Sequence, residues 1–151
     1  MFWYTWKEAR QLRLRLIFLT AHMIYLLTNT ANQAVYLTLD EARQYFPTSF
    51  THYLLIVTHE ENSTSGVSLG QVLDVISESQ RFTHALVDTT GLTQVGRYRY
   101  TVYGQNSATN TDPTDASVVG ECEQGLCVLS DNTQYFNVPS INIDDDVIYN
   151  G

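Results

Sequence analysis

The residues best suited to chemistry are few. Cys122 and Cys127 frame the run Cys122-Glu123-Gln124-Gly125-Leu126-Cys127. Gln124-Gly125 reads as a two-residue hairpin turn, since glycine accepts positive φ. In that hairpin the two cysteines form a non-hydrogen-bonded pair with Cα atoms about 4.5 Å apart, close enough for a disulfide in an oxidising compartment. Two free thiols are the other reading. A loop this short would gain little stability from the bridge, and a zinc site would need two further ligands near by. The histidines are His22, His52, His59 and His84. His52 and His84 fall on neighbouring strand segments, but no close His-x-His or His-x-x-x-His pair occurs. His59-Glu60-Glu61 closes an apolar run before a polar loop. A general acid-base group needs an oriented partner and a pocket; the sequence displays neither, so His59 reads as a solvated strand end.

Other signatures fail on spacing. Ser65-Gly66 and Ser68-Leu69-Gly70 lack the glycine pattern of a nucleophile elbow, and no phosphate loop or dinucleotide fingerprint occurs. Asp144-Asp145-Asp146, and Asn110 with Asp112 and Asp115, offer oxygens for calcium but not in the alternating pattern of a calcium loop. Asn62-Ser63-Thr64 fits a glycosylation sequon, which matters only in a secreted eukaryotic protein. The expectation is a chain with no catalytic residues, no metal and no cofactor. Its candidate interaction residues are Arg97, Arg99 and Tyr103, on one face of a strand, and Val147, Ile148 and Tyr149 near the C-terminus.

Those residues must be positioned by strands. Ten tyrosines and eighteen threonines, with many valines and isoleucines, favour a pleated sheet. Met23–Thr28 and Val35–Leu39 read as short strands, and Asp40–Phe46 as a helical turn stopped by Pro47. Tyr53–Thr58 is a continuous apolar run, the pattern of a central buried strand. A polar loop follows over Glu60–Gly66, then strands over Val72–Ile76 and Phe82–Val87. From Arg97 to Tyr103 the alternation is strict: Tyr98, Tyr100 and Val102 share one face, and Arg97, Arg99, Thr101 and Tyr103 share the other. Gly104–Asp115 reads as a long loop, with Val118-Val119 and Cys127-Val128-Leu129 as the last two strands.

Seven or eight short strands without a strand-helix-strand rhythm predict an all-β fold, an antiparallel β-sandwich. The run Gly91-Leu92-Thr93-Gln94-Val95-Gly96-Arg97-Tyr98-Arg99-Tyr100-Thr101-Val102 resembles the E–F corner and F strand of immunoglobulin-like and fibronectin-like domains. In those, a tyrosine bonds back to the corner. Residues 131–151 alternate apolar and polar positions and read as an extended C-terminal segment: the last strand of the domain itself, an arm for the sheet edge of a neighbour anchored by Val147, Ile148 and Tyr149, or a loose tail.

Composition bounds the partners. The 151 residues suit one domain, with 44% hydrophobic and only 16% charged residues, which argues against a disordered chain. Eight basic and sixteen acidic residues give a net charge of −8, which argues against nucleic-acid binding. The charge is uneven. Residues 1–22 hold Lys7, Arg10, Arg13 and Arg15 against Glu8 alone, and both tryptophans. This stretch is an extension upstream of a true start at Met23, a secretion signal, or a basic aromatic arm for a membrane or partner. No apolar run of about 20 residues predicts a membrane-spanning helix.

Four stretches of this acidic, Thr/Asn/Tyr-rich chain, Thr28–Gln33, Phe50–Glu60, Gly96–Tyr100 with Tyr103–Asn106, and Asp144–Gly151, are similar to small virion structural proteins of tailed bacteriophages. The resemblance implies a non-enzymatic, immunoglobulin-like domain over residues 23–130 that decorates or joins capsid or tail components. Its partners would be other virion proteins or copies of itself in a homo-oligomer, assembled in the host cytoplasm. A secreted surface- or carbohydrate-binding β-sandwich module is the alternative.

Overall fold

The computed structural model describes residues 23–61 and 68–131. The basic stretch 1–22, the sequon at Asn62 and the C-terminal segment with Val147, Ile148 and Tyr149 lie outside these residues. The described chain folds into eight strands and one helical turn: β1 Met23–Leu27, β2 Gln33–Leu37, α1 Asp40–Arg43, β3 His52–His59, β4 Ser68–Val72, β5 Asp74–Glu78, β6 Thr83–Val87, β7 Gly96–Gln105 and β8 Val118–Ser130. Two sheets share one core. The larger runs β1-β8-β7-β3-β4 and the smaller β2-β6-β5. The fold is therefore an all-β, two-sheet sandwich.

Pattern and placement agree in the middle of the large sheet. The apolar run of β3 lies between β7 and β4, with Tyr53, Leu55 and Val57 packed inward at 1% exposure each. On β7, Tyr98, Tyr100 and Val102 are wholly buried, while Arg97 and Arg99 face solvent. The core is completed by Val35, Leu37 and Leu39 from the β2 side and by Ala85 and Val87 of β6.

Four expectations need correction. The sandwich is not wholly antiparallel, because β1 runs parallel to β8, Met23 beside Leu126 through Leu27 beside Ser130. Val72–Ile76 is not one strand: the chain leaves the large sheet after Val72 and enters the small one at Asp74, with buried Leu73 as the corner, its N–H bonded to Tyr53 O at 2.8 Å. The Gly104–Asp115 loop begins two residues later, since Gly104 and Gln105 extend β7. Lastly, no turn occurs at Gln124-Gly125. Residues 118–130 form one continuous strand, with Gln124 beside Thr101 and Gly125 beside Tyr100 of β7. Local turn propensity yields to a cross-strand ladder with β7, joined by β1 from Leu126 onward.

That last correction removes the disulfide. Cys122 and Cys127 stand five positions apart on one strand, roughly 16 Å at the usual rise, and both are buried free thiols. A disulfide requires Cα atoms within about 7 Å.

Candidate interaction surface

Residues opposed across a sheet share a face, so the register defines the outer surface of the large sheet. Across one row lie Met23, Leu126, Arg99 and Thr58; across the next lie Tyr25, Val128 and Arg97. Met23 and Tyr25 are 45% and 73% exposed, and Leu126 and Val128 are half-buried. The result is an apolar strip beside two arginines.

Glu60 completes the group. It follows β3 directly, and its N–H donates to Arg97 O at 3.0 Å. Its carboxylate sits between the two guanidinium groups, 3.6 Å from Arg97 Nε and 3.6 Å from Arg99 NH2. Both arginine side chains remain about two-thirds exposed, at 65% and 66%. Such exposed pairs add only about 0–1 kcal/mol to stability. Among the described residues, two guanidinium groups share one carboxylate within ion-pair distance here, in a chain of net charge −8. Guanidinium groups on a fixed strand offer paired donors suited to carboxylates.

His59 supports this geometry from beneath. It is 4% exposed, not solvated, and its ring meets Tyr98 edge to face at 4.7 Å. Its Nδ1 accepts the Glu61 N–H at 3.2 Å, which shapes the turn that presents Glu60. Gly96 has φ +132°, a conformation that favours glycine, and a Cβ there would press on His59 Nε2 at 3.0 Å. Thr58, His59, Glu60 and Arg99 line a shallow cleft of about 450 Å³.

Tyr103 shares the face but not the group. It lies four positions along β7 from Arg99, half-buried, opposite Leu54 and Glu121. Burial raises its phenol pKa, and Glu121 adds to the effect. The loop 106–117 folds back at this end: Asn110 and Gln105 exchange hydrogen bonds, and a Cβ on Gly70 would come 2.8 Å from Thr111 O. Arg97 and Arg99 are brought together; Tyr103 is set apart.

The remaining polar groups are occupied structurally. Glu123 is 3% exposed and accepts hydrogen bonds from Tyr100 OH at 2.7 Å, Thr38 N–H at 2.8 Å and Thr38 Oγ1 at 3.1 Å. At one end of the sandwich Tyr53 OH donates to Glu78, and Arg43 reaches Tyr53 OH at 3.0 Å, Phe50 O at 2.7 Å and Glu78 at 3.3 Å. Burial, with the neighbouring carboxylates, raises the pKa of both Tyr53 and Tyr100 far above the ordinary phenol value. Burial likewise pushes the Cys122 and Cys127 thiols up to about 12, which makes them poor nucleophiles. His52 and His84 belong to different sheets; His84 stacks on Tyr36 at 4.9 Å. Among the described residues no three His, Cys, Asp or Glu side chains form a metal set, and no helix is long and apolar enough to cross a membrane.

Sequence reasoning did not find Glu60 as the arginines' partner or Glu123 as a buried acceptor. The second left a trace: two tyrosines on an inward face demand partners for their hydroxyls. The first left none, because Glu60 and the arginines are joined only by the register. In comparisons with known proteins, the chain matches no family model, no curated protein and no solved structure.

Proposed function

We propose that this chain is a non-enzymatic structural subunit of a virion that binds its neighbours through the outer face of the large sheet. One observation carries the reading: exposed Arg97 and Arg99 lie beside the apolar strip of Met23, Tyr25, Leu126 and Val128 on a rigid sheet. Arginine and aromatic groups around an apolar centre are the usual make-up of a protein interface. Among the described residues, Tyr53 and Tyr100 donate to Glu78 and Glu123, and burial keeps the Cys122 and Cys127 thiols protonated.

The strand order also fits the immunoglobulin-like part of this reading. The order β1-β8-β7-β3-β4 against β2-β6-β5, with β1 parallel to β8, is compatible with that fold. Tyr98 OH donates to Gln94 O at 2.7 Å, the corner bond expected of such domains. Mass spectrometry of purified particles tests the role. Recovery of the chain in fixed stoichiometry with the coat and tail proteins supports it. Recovery only in the soluble or secreted fraction overturns it.

The secreted carbohydrate-binding module draws on a different observation. Tyr36 is 62% exposed on the small sheet and its ring lies parallel to His84, with 13° between planes, as a platform for a sugar ring would. Loss of glycan binding in Tyr36→Ala would favour this second reading; absence of any glycan binding by the intact chain would dismiss it.

A further inference from the structure

We infer that the C-terminal segment of a second copy of this chain docks on this face, its acidic triplet Asp144-Asp145-Asp146 on Arg97 and Arg99 and its Val147-Ile148-Tyr149 on the apolar strip. The inference rests on the assembly reading and names the partner of that surface.

Charge complementarity selects the occupant. Residues 131–151 contain four aspartates and no basic residue. Among the described residues the cations are Arg43, Arg81, Arg97 and Arg99, and Arg43 is engaged by Asp40 and Glu78. Arg97 and Arg99 are the pair that shares a face with one carboxylate between them. Pairing with an aspartate run gives these two cations further carboxylates. The order of residue types also fits. Acids followed at once by Val-Ile-Tyr match arginines flanked at once, on the next strands, by Leu126 and Val128 and then Met23 and Tyr25.

Reach allows a neighbouring copy to receive the segment. β8 ends at Ser130, whose carbonyl accepts Thr28 N–H at 2.9 Å; Val128, two residues earlier, opposes Arg97. The strand therefore ends beside the arginines. Asp144 lies fourteen residues further on, a span of up to about 45–50 Å for an extended chain. The five strands of the sheet are together only about 20–25 Å wide. A segment of that length extends past the edge of its own sheet, so a neighbouring copy lies within its reach. Each subunit would then both give and receive a segment, a head-to-tail contact that closes into rings or grows into filaments.

The test uses the full chain and two charge reversals, followed by sedimentation velocity over a concentration series. Arg97→Glu with Arg99→Glu changes only exposed side chains, so near-ultraviolet circular dichroism should match the parent. Asp144→Lys with Asp145→Lys and Asp146→Lys changes only the segment and provides a second, independent route. Each variant alone should associate at least about tenfold more weakly than the parent. A mixture of the two should recover association, because the lysine-bearing segment of one copy meets the glutamate-bearing face of the other. Parent-like association of either variant, or no recovery on mixing, overturns the inference while leaving assembly itself standing. A parent chain that stays monomeric overturns both.

Discussion

Glu123 supplies the sharpest test of the fold. It joins the sheets: its carboxyl group, on β8, accepts from Tyr100 of β7 and from Thr38, just beyond β2. Replacing it with alanine leaves the Tyr100 hydroxyl without a partner at a site of 0% exposure. A buried hydroxyl left unsatisfied costs about 1–3 kcal/mol. The one lost methylene, Cγ, adds about 0.8 kcal/mol. Thr38 is half-buried and regains water in part. Opposing these losses, the removal of a buried acidic group with no cation beside it relieves desolvation. The net expectation for Glu123→Ala is about 1–3 kcal/mol of destabilisation, read as a fall of roughly 0.5–1.5 M in the urea midpoint. Tyr100→Phe should cost about 1–3 kcal/mol, and the double variant should cost less than the sum. Equilibrium urea unfolding followed by tyrosine fluorescence measures all three. A Glu123→Ala protein within about 0.5 kcal/mol of the parent, or strictly additive variants, would show that the Tyr100–Glu123–Thr38 bonds do not hold the sheets together.

The other expectations concern the thiols, the alkaline limit and two close packings. Native protein should show no reactive thiol toward a disulfide reagent at pH 8 and two after unfolding, and oxidation should not join Cys122 to Cys127 within one chain, as peptide mapping would reveal. Stability should fall as pH rises above 9.0, because unfolded thiols ionise from there while the folded ones hold their protons to about 12. Tyr53 and Tyr100 extend the loss above pH 10.0, since their folded pKa values are also raised, so Tyr53→Phe or Tyr100→Phe should flatten the alkaline limb in thermal melts against pH. Gly104→Ala should cost about 1–3 kcal/mol by calorimetry, because a Cβ there would lie 2.6 Å from the Phe50 ring, itself packed under the Arg43 guanidinium at 4.7 Å. Gly91→Ala meets no neighbouring atom, and its penalty comes only from φ +92°, so it should be the milder of the two.

The strands that were legible in the sequence are those whose burial is two-sided or strictly alternating. β3 needed only its apolar run, and β7 only its period of two. Where two neighbouring strands belong to different sheets, pattern fails: Val72 and Asp74 are two residues apart, yet the corner at buried Leu73 has no turn signature. Gln124-Gly125 failed in the opposite sense, since a turn-prone dipeptide is held extended by β7 on one side and β1 near by. The bulge at Cys122 is a property of pairing, not of sequence. Val102 opposes Glu123 and Tyr103 opposes Glu121, so Cys122 is the extra residue and lies buried next to Glu123. The interaction surface was half legible. Alternation put Arg97 and Arg99 outward, but Glu60, Met23 and Tyr25 join them only through register, including a parallel pairing between residues 103 positions apart in sequence, Met23 beside Leu126.

Static light scattering of the full chain across a range of concentrations tests the central claim most directly. Assembly through the outer face predicts a weight-average mass that rises well above the 17.2 kDa of one chain as concentration increases, and that returns toward 17.2 kDa in Arg97→Glu/Arg99→Glu. A mass that remains at 17.2 kDa for the parent at every concentration would contradict the account.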